Sequence, residues 1–267
     1  MNDVVRAWRP AVPGVHEALH ATFRDHAYPA HTHDAWTVLL VERGAVRYDL
    51  ERSAHVTSPE VLTLLPPGVA HDGRSVEPGR PYRKRVLYLD AAWLPAAAVG
   101  AAVHRPSIEG ADAAVIARAV HAASSIPGEE LLAESGVLAL REHISRFFGD
   151  GSSVTVRDDP LARRLRCLLD ERLDASFTLR EAGALLGAHP SHLVRSFSRA
   201  YGIAPHRYVT GRRVDLARRL LLAGATPAAA AAQAGFHDQA HLGRHFRRVL
   251  GVTPSTFTRH RAAGEAA

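Results

Sequence analysis

The sequence predicts an α+β multidomain chain: an N-terminal β-barrel with a helical extension, followed by an all-α C-terminal domain. Three observations predict it. Short β-type runs separated by Gly and Pro turns fill the first part, the apolar period becomes helical after Gly110, and the last hundred or so residues repeat a two-helix pattern. With 267 residues, 46% hydrophobic and 22% charged, the chain is long enough to bury one large or two smaller cores. No stretch approaches the ~18 uninterrupted apolar residues of a membrane helix; the nearest, Ala91 to Val103, is cut by Pro95 and Gly100. The N-terminus lacks a signal-type apolar block, and the single Cys167 excludes an internal disulfide framework. These features lead us to expect a cytoplasmic protein without membrane contact.

The first unit is expected over residues 1–110. Trp36 to Glu42 (WTVLLVE) ends at Arg43-Gly44, and Ala45 to Leu50 follows as a return strand. Val61 to Leu65 stops at Pro66-Pro67-Gly68, and Arg85 to Leu89 is a further strand. The segment Met1 to His16 precedes the barrel and could serve as an arm. Two motifs stand out, His31-Thr32-His33 leading into a strand and Pro66-Pro67-Gly68-Val69-Ala70-His71. Residues two apart on a strand share a face, so His31 and His33 can both look inward, with His71 approaching from a turn. Three imidazoles can ligate an open metal site, hydrogen-bond an organic effector, or simply pack. Trp36 could stack on a ligand or belong to the core.

Residues 111–148 are expected to form a helical extension. Val115, Ile116, Ala119 and Val120, then Leu131, Leu132, Val137, Leu138, Leu140, Ile144 and Phe147-Phe148, give two amphipathic segments broken at Ile126-Pro127-Gly128. The stretch 149–160, GDGSSVTVRDDP, has linker composition.

Charge divides the chain at this linker. From Pro160 onward there are 17 Arg, no Lys and seven acidic residues, a net +10, whereas residues 1–159 hold 16 basic and 20 acidic residues, a net −4. A basic half of this kind suits a polyanion, although an arginine-rich solvated surface would read the same. Over residues 161–261 an offset of 49 superposes His192-Leu193, Arg195, Phe197, Arg199, Gly202, Pro205 and Tyr208 on His241-Leu242, Arg244, Phe246, Arg248, Gly251, Pro254 and Phe257. Each copy is preceded by a shorter helix: one opened by the capping box Thr178-Leu179-Arg180-Glu181 and stopped at Gly187, the other opened by Thr226-Pro227 and stopped at Gly235. Short helix, glycine turn and longer arginine-bearing helix form a helix-turn-helix, here present twice.

Periodicity sorts the faces of the longer helices. With Leu193, Phe197 and Ala200 inward, Ser191, Arg195, Ser198 and Arg199 face out. With Leu242, Phe246 and Val249 inward, Ala240, Arg244, Arg247 and Arg248 face out, and Gln239 stands at the N-terminal end. Arginine can grip guanine and glutamine adenine bidentately. Arg195 and Arg244, nearer the helix N-termini, are assigned to bases, and Arg199, Arg247 and Arg248 to phosphates. Arg212, Arg213, Arg218 and Arg219 lie on the bridging helix, solvated or structural, and Cys167 is expected in the core beside Leu165, Leu168 and Leu169.

The stretch AGFHDQAHLGRHFRRVLGVTPSTF, Ala234 to Phe257, resembles the second helix-turn-helix of the AraC/XylS family of bacterial transcription regulators, and the likeness extends over about 161–261. His189 departs from the family's usual Ser or Thr cap, as do His241 and Gly243 from its usual residues. The His31-x-His33 and Pro66-x-Gly68-x-x-His71 elements resemble the cupin barrel that many members carry as an effector domain. The resemblance implies an effector-responsive regulator and no catalytic residues. It implies double-stranded DNA and an unknown small-molecule effector as partners, homodimerisation through the extension, activation as the common mode, and RNA polymerase as a further contact. Arg213 resembles a position buried between the two DNA-binding subdomains. No cofactor is required by this reading. The alternative is a metal-dependent cupin enzyme, a dioxygenase or isomerase, holding one ion on His31, His33 and His71; such enzymes place a carboxylate shortly after the paired histidines, where this chain has Thr37 or a neighbour.

Overall fold

The computed structural model describes residues 3–149, 159–174 and 177–262. Ten strands form the N-terminal part: β1 (Val4–Trp8), β2 (Val15–Phe23), β3 (Tyr28–His31), β4 (Trp36–Arg43), β5 (Val46–Leu50), β6 (Ser53–Thr57), β7 (Leu62–Leu65), β8 (His71–Ser75), β9 (Tyr82–Leu89) and β10 (Ser107–Ile108). They make a six-stranded sheet in the order β1-β2-β9-β4-β7-β10 and a four-stranded sheet in the order β3-β8-β5-β6. Both sheets are antiparallel, and the register sets His31 opposite His71 and Thr37 between Leu65 and Tyr88. β5 does not return alongside β4: β4 pairs with β7 and β9, whereas β5 crosses to the other sheet and pairs with β6 and β8. At that crossing Gly44 has φ +78°, and a Cβ there would stand 3.1 Å from Tyr82 Cβ and 3.2 Å from the Pro81 carbonyl, so the turn requires glycine.

The strand β4 is apolar almost throughout because both of its faces are buried. Trp36, Val38 and Leu40 turn toward α2 (Ala111–Ala123) and α3 (Glu130–Phe148), joining Val120, Ala133, Val137, Leu140 and Ile144 in one core. Leu39 and Val41 turn the other way and join Leu19, Phe23, Val86 and Tyr88. That second core continues into the C-terminal half through Val214, Ala217, Leu221 and Phe246, so the two halves of the chain share it.

After the short α1 (Ala98–His104) and the two sheet-packed helices, the C-terminal half comprises α4 (Pro160–Asp170), α5 (Leu179–Leu186), α6 (Pro190–Tyr201), α7 (Pro205–Leu222), α8 (Pro227–Gln233), α9 (Gln239–Leu250) and α10 (Pro254–Ala262). Local chemistry fixes their ends. Thr178 and Glu181 bond each other's backbone N–H groups in a reciprocal capping box. Thr226 and Asp238 accept from Ala229 and His241 N–H, and His189 Nδ1 accepts from Ser191 N–H at 3.3 Å, doing the work of a Ser or Thr cap. Gly202 and Gly251 close α6 and α9 in the left-handed conformation.

Three further expectations change. Residues 4–8, within the expected arm, are the sheet edge β1, paired with β2 from Val4 to Trp8. Asp159, expected in the linker, caps α4 by accepting from Leu161 and Ala162 N–H, while residues 150–158 of the expected linker lie outside the described residues. Cys167 is exposed, because the inward seam of α4 runs through Ala162, Leu165 and Leu169.

Candidate functional site

The three histidines meet inside the barrel. His31 ends β3, His33 lies two residues beyond, just outside the strand, and His71 begins β8; all are buried. Cross-strand pairing brings His31 and His71 together, with ring centroids 4.5 Å apart. His31 Nε2 lies 3.1 Å from His33 Nε2, and one ring nitrogen from each of the three lies within 4.8 Å of the others. The opposite nitrogens face acceptors: His31 Nδ1 the Pro29 carbonyl at 2.7 Å, His71 Nδ1 the Val69 carbonyl at 3.1 Å, and His33 Nδ1 the Asp215 carboxylate at 2.9 Å.

Burial, and then the neighbouring rings, hold His31 well below the ordinary imidazole value and push His71 down to about 3, so both are neutral at pH 7. Burial alone would raise the Asp215 carboxyl, but His33 and Arg218 outweigh it and keep the group ionised. The space around the rings, lined also by Tyr28, Tyr48, Tyr82, Lys84 and Tyr88, is about 40 Å³, far below the roughly 300 Å³ or more of ordinary organic-ligand pockets. A roomier cleft of about 550 Å³ lies between residues 9–16 and the end of α7.

Trp36 is not part of this pocket. It lies on the opposite face of β4, wholly buried against the helical extension, and its Nε1 donates to the Ala91 carbonyl at 3.2 Å. Lys84 and Asp215 belong to the surroundings and were not singled out by sequence. Lys84, the only lysine, sits 3.9 Å from the centre of the Tyr28 ring, and burial pulls its ammonium down to about 7.

Asp215 comes from α7, the helix bridging the two helix-turn-helix units, and it is one of several charged groups there that grip the barrel. Arg218 Nε stands 2.7 Å from Glu17 Oε2, with the guanidinium 4.2 Å from the Tyr88 ring centre. Arg212 and Arg219 approach Asp34 at 3.3 and 2.7 Å, and Arg212 also meets Asp170 at 3.3 Å. Arg213 donates to the Leu173 carbonyl at 2.6 Å. Of the two readings open for these arginines, the structure supports the structural one.

The barrel also touches the C-terminal ends of both longer helices. Arg52 donates to the Ser198 and Arg199 carbonyls of α6 at 3.0 and 2.7 Å, and His26 Nε2 donates to the Val249 carbonyl of α9 at 3.1 Å. The other ends and outer faces are open: Ser191, Arg195, Arg199, Gln239, Arg244, Arg247 and Arg248 are exposed, and Ser198 is half-buried. Leu193, Phe197, Leu242, Phe246 and Val249 are buried as periodicity requires.

An AraC-like ligand binding domain matches residues 13–189, and a helix-turn-helix domain matches residues 183–260. The chain belongs to the AraC family of transcriptional regulators. This AraC-type regulator is 26% identical over 227 residues to the uncharacterized HTH-type transcriptional regulator YbfI of Bacillus subtilis, covering 80% of this chain and 81% of that one. It is 32% identical over 120 residues to the transcriptional activator RhrA of Rhizobium meliloti, covering 43% and 38% of the two chains. Its fold resembles that of ToxT from Vibrio cholerae. The TM-score is 0.64 with an apo variant, at 12% identity over 97% of this chain and 98% of that one. It is 0.61 with the unsaturated fatty acid-bound wild type, at 11% identity over 97% and 95%. The regulator thus pairs a ligand-binding barrel with a double helix-turn-helix DNA-binding domain and is not an enzyme.

Proposed function

We propose that this AraC-type regulator works in the cytoplasm as a homodimer, reads double-stranded DNA through α6 and α9, and activates transcription when a small effector changes how its barrel holds those helices. The observation that carries the reading is the barrel's grip on both reading helices, through Arg52 at the end of α6 and His26 at the end of α9. A change at the barrel therefore bears on the placement of two elements that must enter successive major grooves, one turn or about 34 Å apart. An effector shifts this equilibrium only by binding one arrangement better than the other. A fatty acid of the kind bound by ToxT would not fit the space of about 40 Å³ around the histidines.

Arg195 and Arg244 are the base-reading arginines and Gln239 reads adenine. Arg199, Arg247 and Arg248 hold phosphates, with Ser191 and Ser198 supporting them. The exposure of these side chains (Ser198 half-buried) and the net +10 of residues 160–267 support this sorting. Homodimerisation is assigned to the helical extension, where Val115, Leu131, Leu132 and Leu138 are more than half exposed. RNA polymerase is the further partner an activator needs. Among the described residues no helix is long and apolar enough to cross a membrane.

Selection of bound duplexes from a random pool by the full-length protein, across a salt series, tests the reading. One motif spanning two adjacent grooves is expected. Arg244→Ala should cost about 1–3 kcal/mol at one position of that motif, whereas Arg248→Ala should weaken all sequences alike and lower the salt slope by about one. Salt-sensitive binding without a motif would refute it.

A further inference from the structure

We propose that His31, His33 and His71 hold one divalent transition-metal ion on their Nε2 atoms, and that the His33–Asp215 bond couples this ion to the docking of α7 on the barrel. The proposal deepens the effector reading above and rests on it only for the step from metal to DNA.

The partners of the three Nδ1 atoms are two backbone carbonyls and the Asp215 carboxylate, all acceptors. Each Nδ1–H therefore points away from the cluster, and each ring turns one nitrogen toward a common centre, the three lying within 4.8 Å of one another and His31 Nε2 standing 3.1 Å from His33 Nε2. A cation at that centre would be ligated by all three rings. Tetrahedral zinc with nitrogen ligands at ~2.0–2.1 Å places its nitrogens about 3.3 Å apart, close to the spacing of His31 and His33.

Chemistry and size narrow the occupant. A purely imidazole set suits zinc, copper, nickel or iron, and not magnesium or calcium. The surrounding space of about 40 Å³ holds an ion with a water or two.

The second shell is what makes the site regulatory. A ligating histidine usually donates its other N–H to a carboxylate or carbonyl, which fixes the ring and raises its basicity. His31 and His71 find theirs within the barrel, on carbonyls two residues away. His33 finds its partner 182 residues distant, on the bridging helix of the DNA-binding half. One turn before Asp215, Gly211 lies against His31, where an added Cβ would stand 3.5 Å from His31 Cβ. The helix thus lies directly over two of the three ligands, and by linkage whatever metal binding gains from the docked helix, docking gains from the metal.

The test uses the full-length chain, stripped with a chelator and titrated with Co²⁺ and Zn²⁺. One ion per chain, with only imidazole and water ligands in X-ray absorption of the unmodified protein, is expected. Absence of saturable binding would overturn the site, as would a thiolate ligand. His31→Asn and His71→Asn keep an N–H donor near the position of Nδ1 and delete Nε2, so each should abolish stoichiometric binding; undiminished binding in either would overturn the site even if the other failed to fold. Asp215→Asn should keep one ion per chain and lower its affinity about 10–100-fold, an effect that loss of packing alone would not produce. Unchanged affinity would overturn the coupling. Finally, metal should change affinity for a selected duplex by at least about fivefold. No change would overturn the coupling while leaving the site, whereas absence of DNA binding in either form would refute the DNA-reading proposal and not the metal.

Discussion

Replacing Arg218 with methionine removes the cation from an ion cluster closed to water. Arg218 is 4% exposed and Glu17 1%, and Asp215 lies 3.5 Å from the same guanidinium. The Glu17 oxygens have no directed hydrogen bond of their own, so the charge of Arg218 is their main compensation. Breaking one side of a buried pair costs about 3–5 kcal/mol. Methionine refills much of the volume, and Asp215 keeps His33, which places the expected loss near the lower bound, about 3 kcal/mol at pH 8. The loss depends on pH with a definite sign. Burial already pushes the Glu17 carboxyl from 4.5 up to about 7 against the pull of Arg218, and without that arginine it rises further. A raised carboxyl value means that the folded variant keeps a proton which the unfolded chain releases, so its stability falls as pH rises above about 4.5. Urea unfolding of the full-length variant at pH 5.5 and pH 8, followed by circular dichroism, should show a smaller deficit at the lower pH. Adding Glu17→Gln should recover most of it at pH 8. A deficit below 1 kcal/mol, a deficit indifferent to pH, or failure of the second substitution to rescue would refute the reasoning.

Two further outcomes follow from other parts of the molecule. Burial pushes His121 down to about 4, with Nε2 donating to the Leu19 carbonyl; the unfolded chain takes up that proton first, so stability should fall by about 3 kcal/mol from this ring between pH 6.5 and 4. Urea midpoints across that range should flatten in His121→Gln, which can retain the donor without the titration, and an unchanged slope would contradict the assignment. At the proposed dimer face Leu131 is 75% exposed and Leu138 59%; Leu131→Ser with Leu138→Ser should yield monomers by sedimentation with little change in monomer stability, whereas a dimer that persists would remove α3 from the interface.

What the sequence made legible was local. The double helix-turn-helix could be read because its rules act over a few residues: the Thr178–Glu181 box, the left-handed Gly202 and Gly251, and leucine and phenylalanine one turn apart. The strands β4, β5, β7 and β9 were legible for the same reason, between Gly and Pro turns. The edge strand β1 was not, since five residues with two polar or exposed positions become a strand only through pairing with β2. Trp36 could not be oriented, because alternation has no meaning on a strand buried on both faces. The histidine cluster was visible as a motif, but its partner Asp215 was hidden by distance along the chain. One signal could have exposed it: Gly211, Asp215, Arg218 and Leu222 share a face of α7, and charges within a stripe containing glycine and leucine are seldom solvated.

The shared core under α7 limits how this protein can be divided. Val214, Ala217 and Leu221 cover the same sheet face that carries Leu19, Ala21 and Val86, so the helix that spaces the two DNA-reading units also closes the wall of the barrel. A recombinant barrel cut at the linker would present that wall to water, and a transplanted DNA-binding half would arrive with an apolar stripe and unmatched charges. Parts that look interchangeable along the sequence are therefore not interchangeable in space. A functional chimera with a relative would have to carry the inner face of α7 with the barrel it was shaped against, whichever reading helices it received.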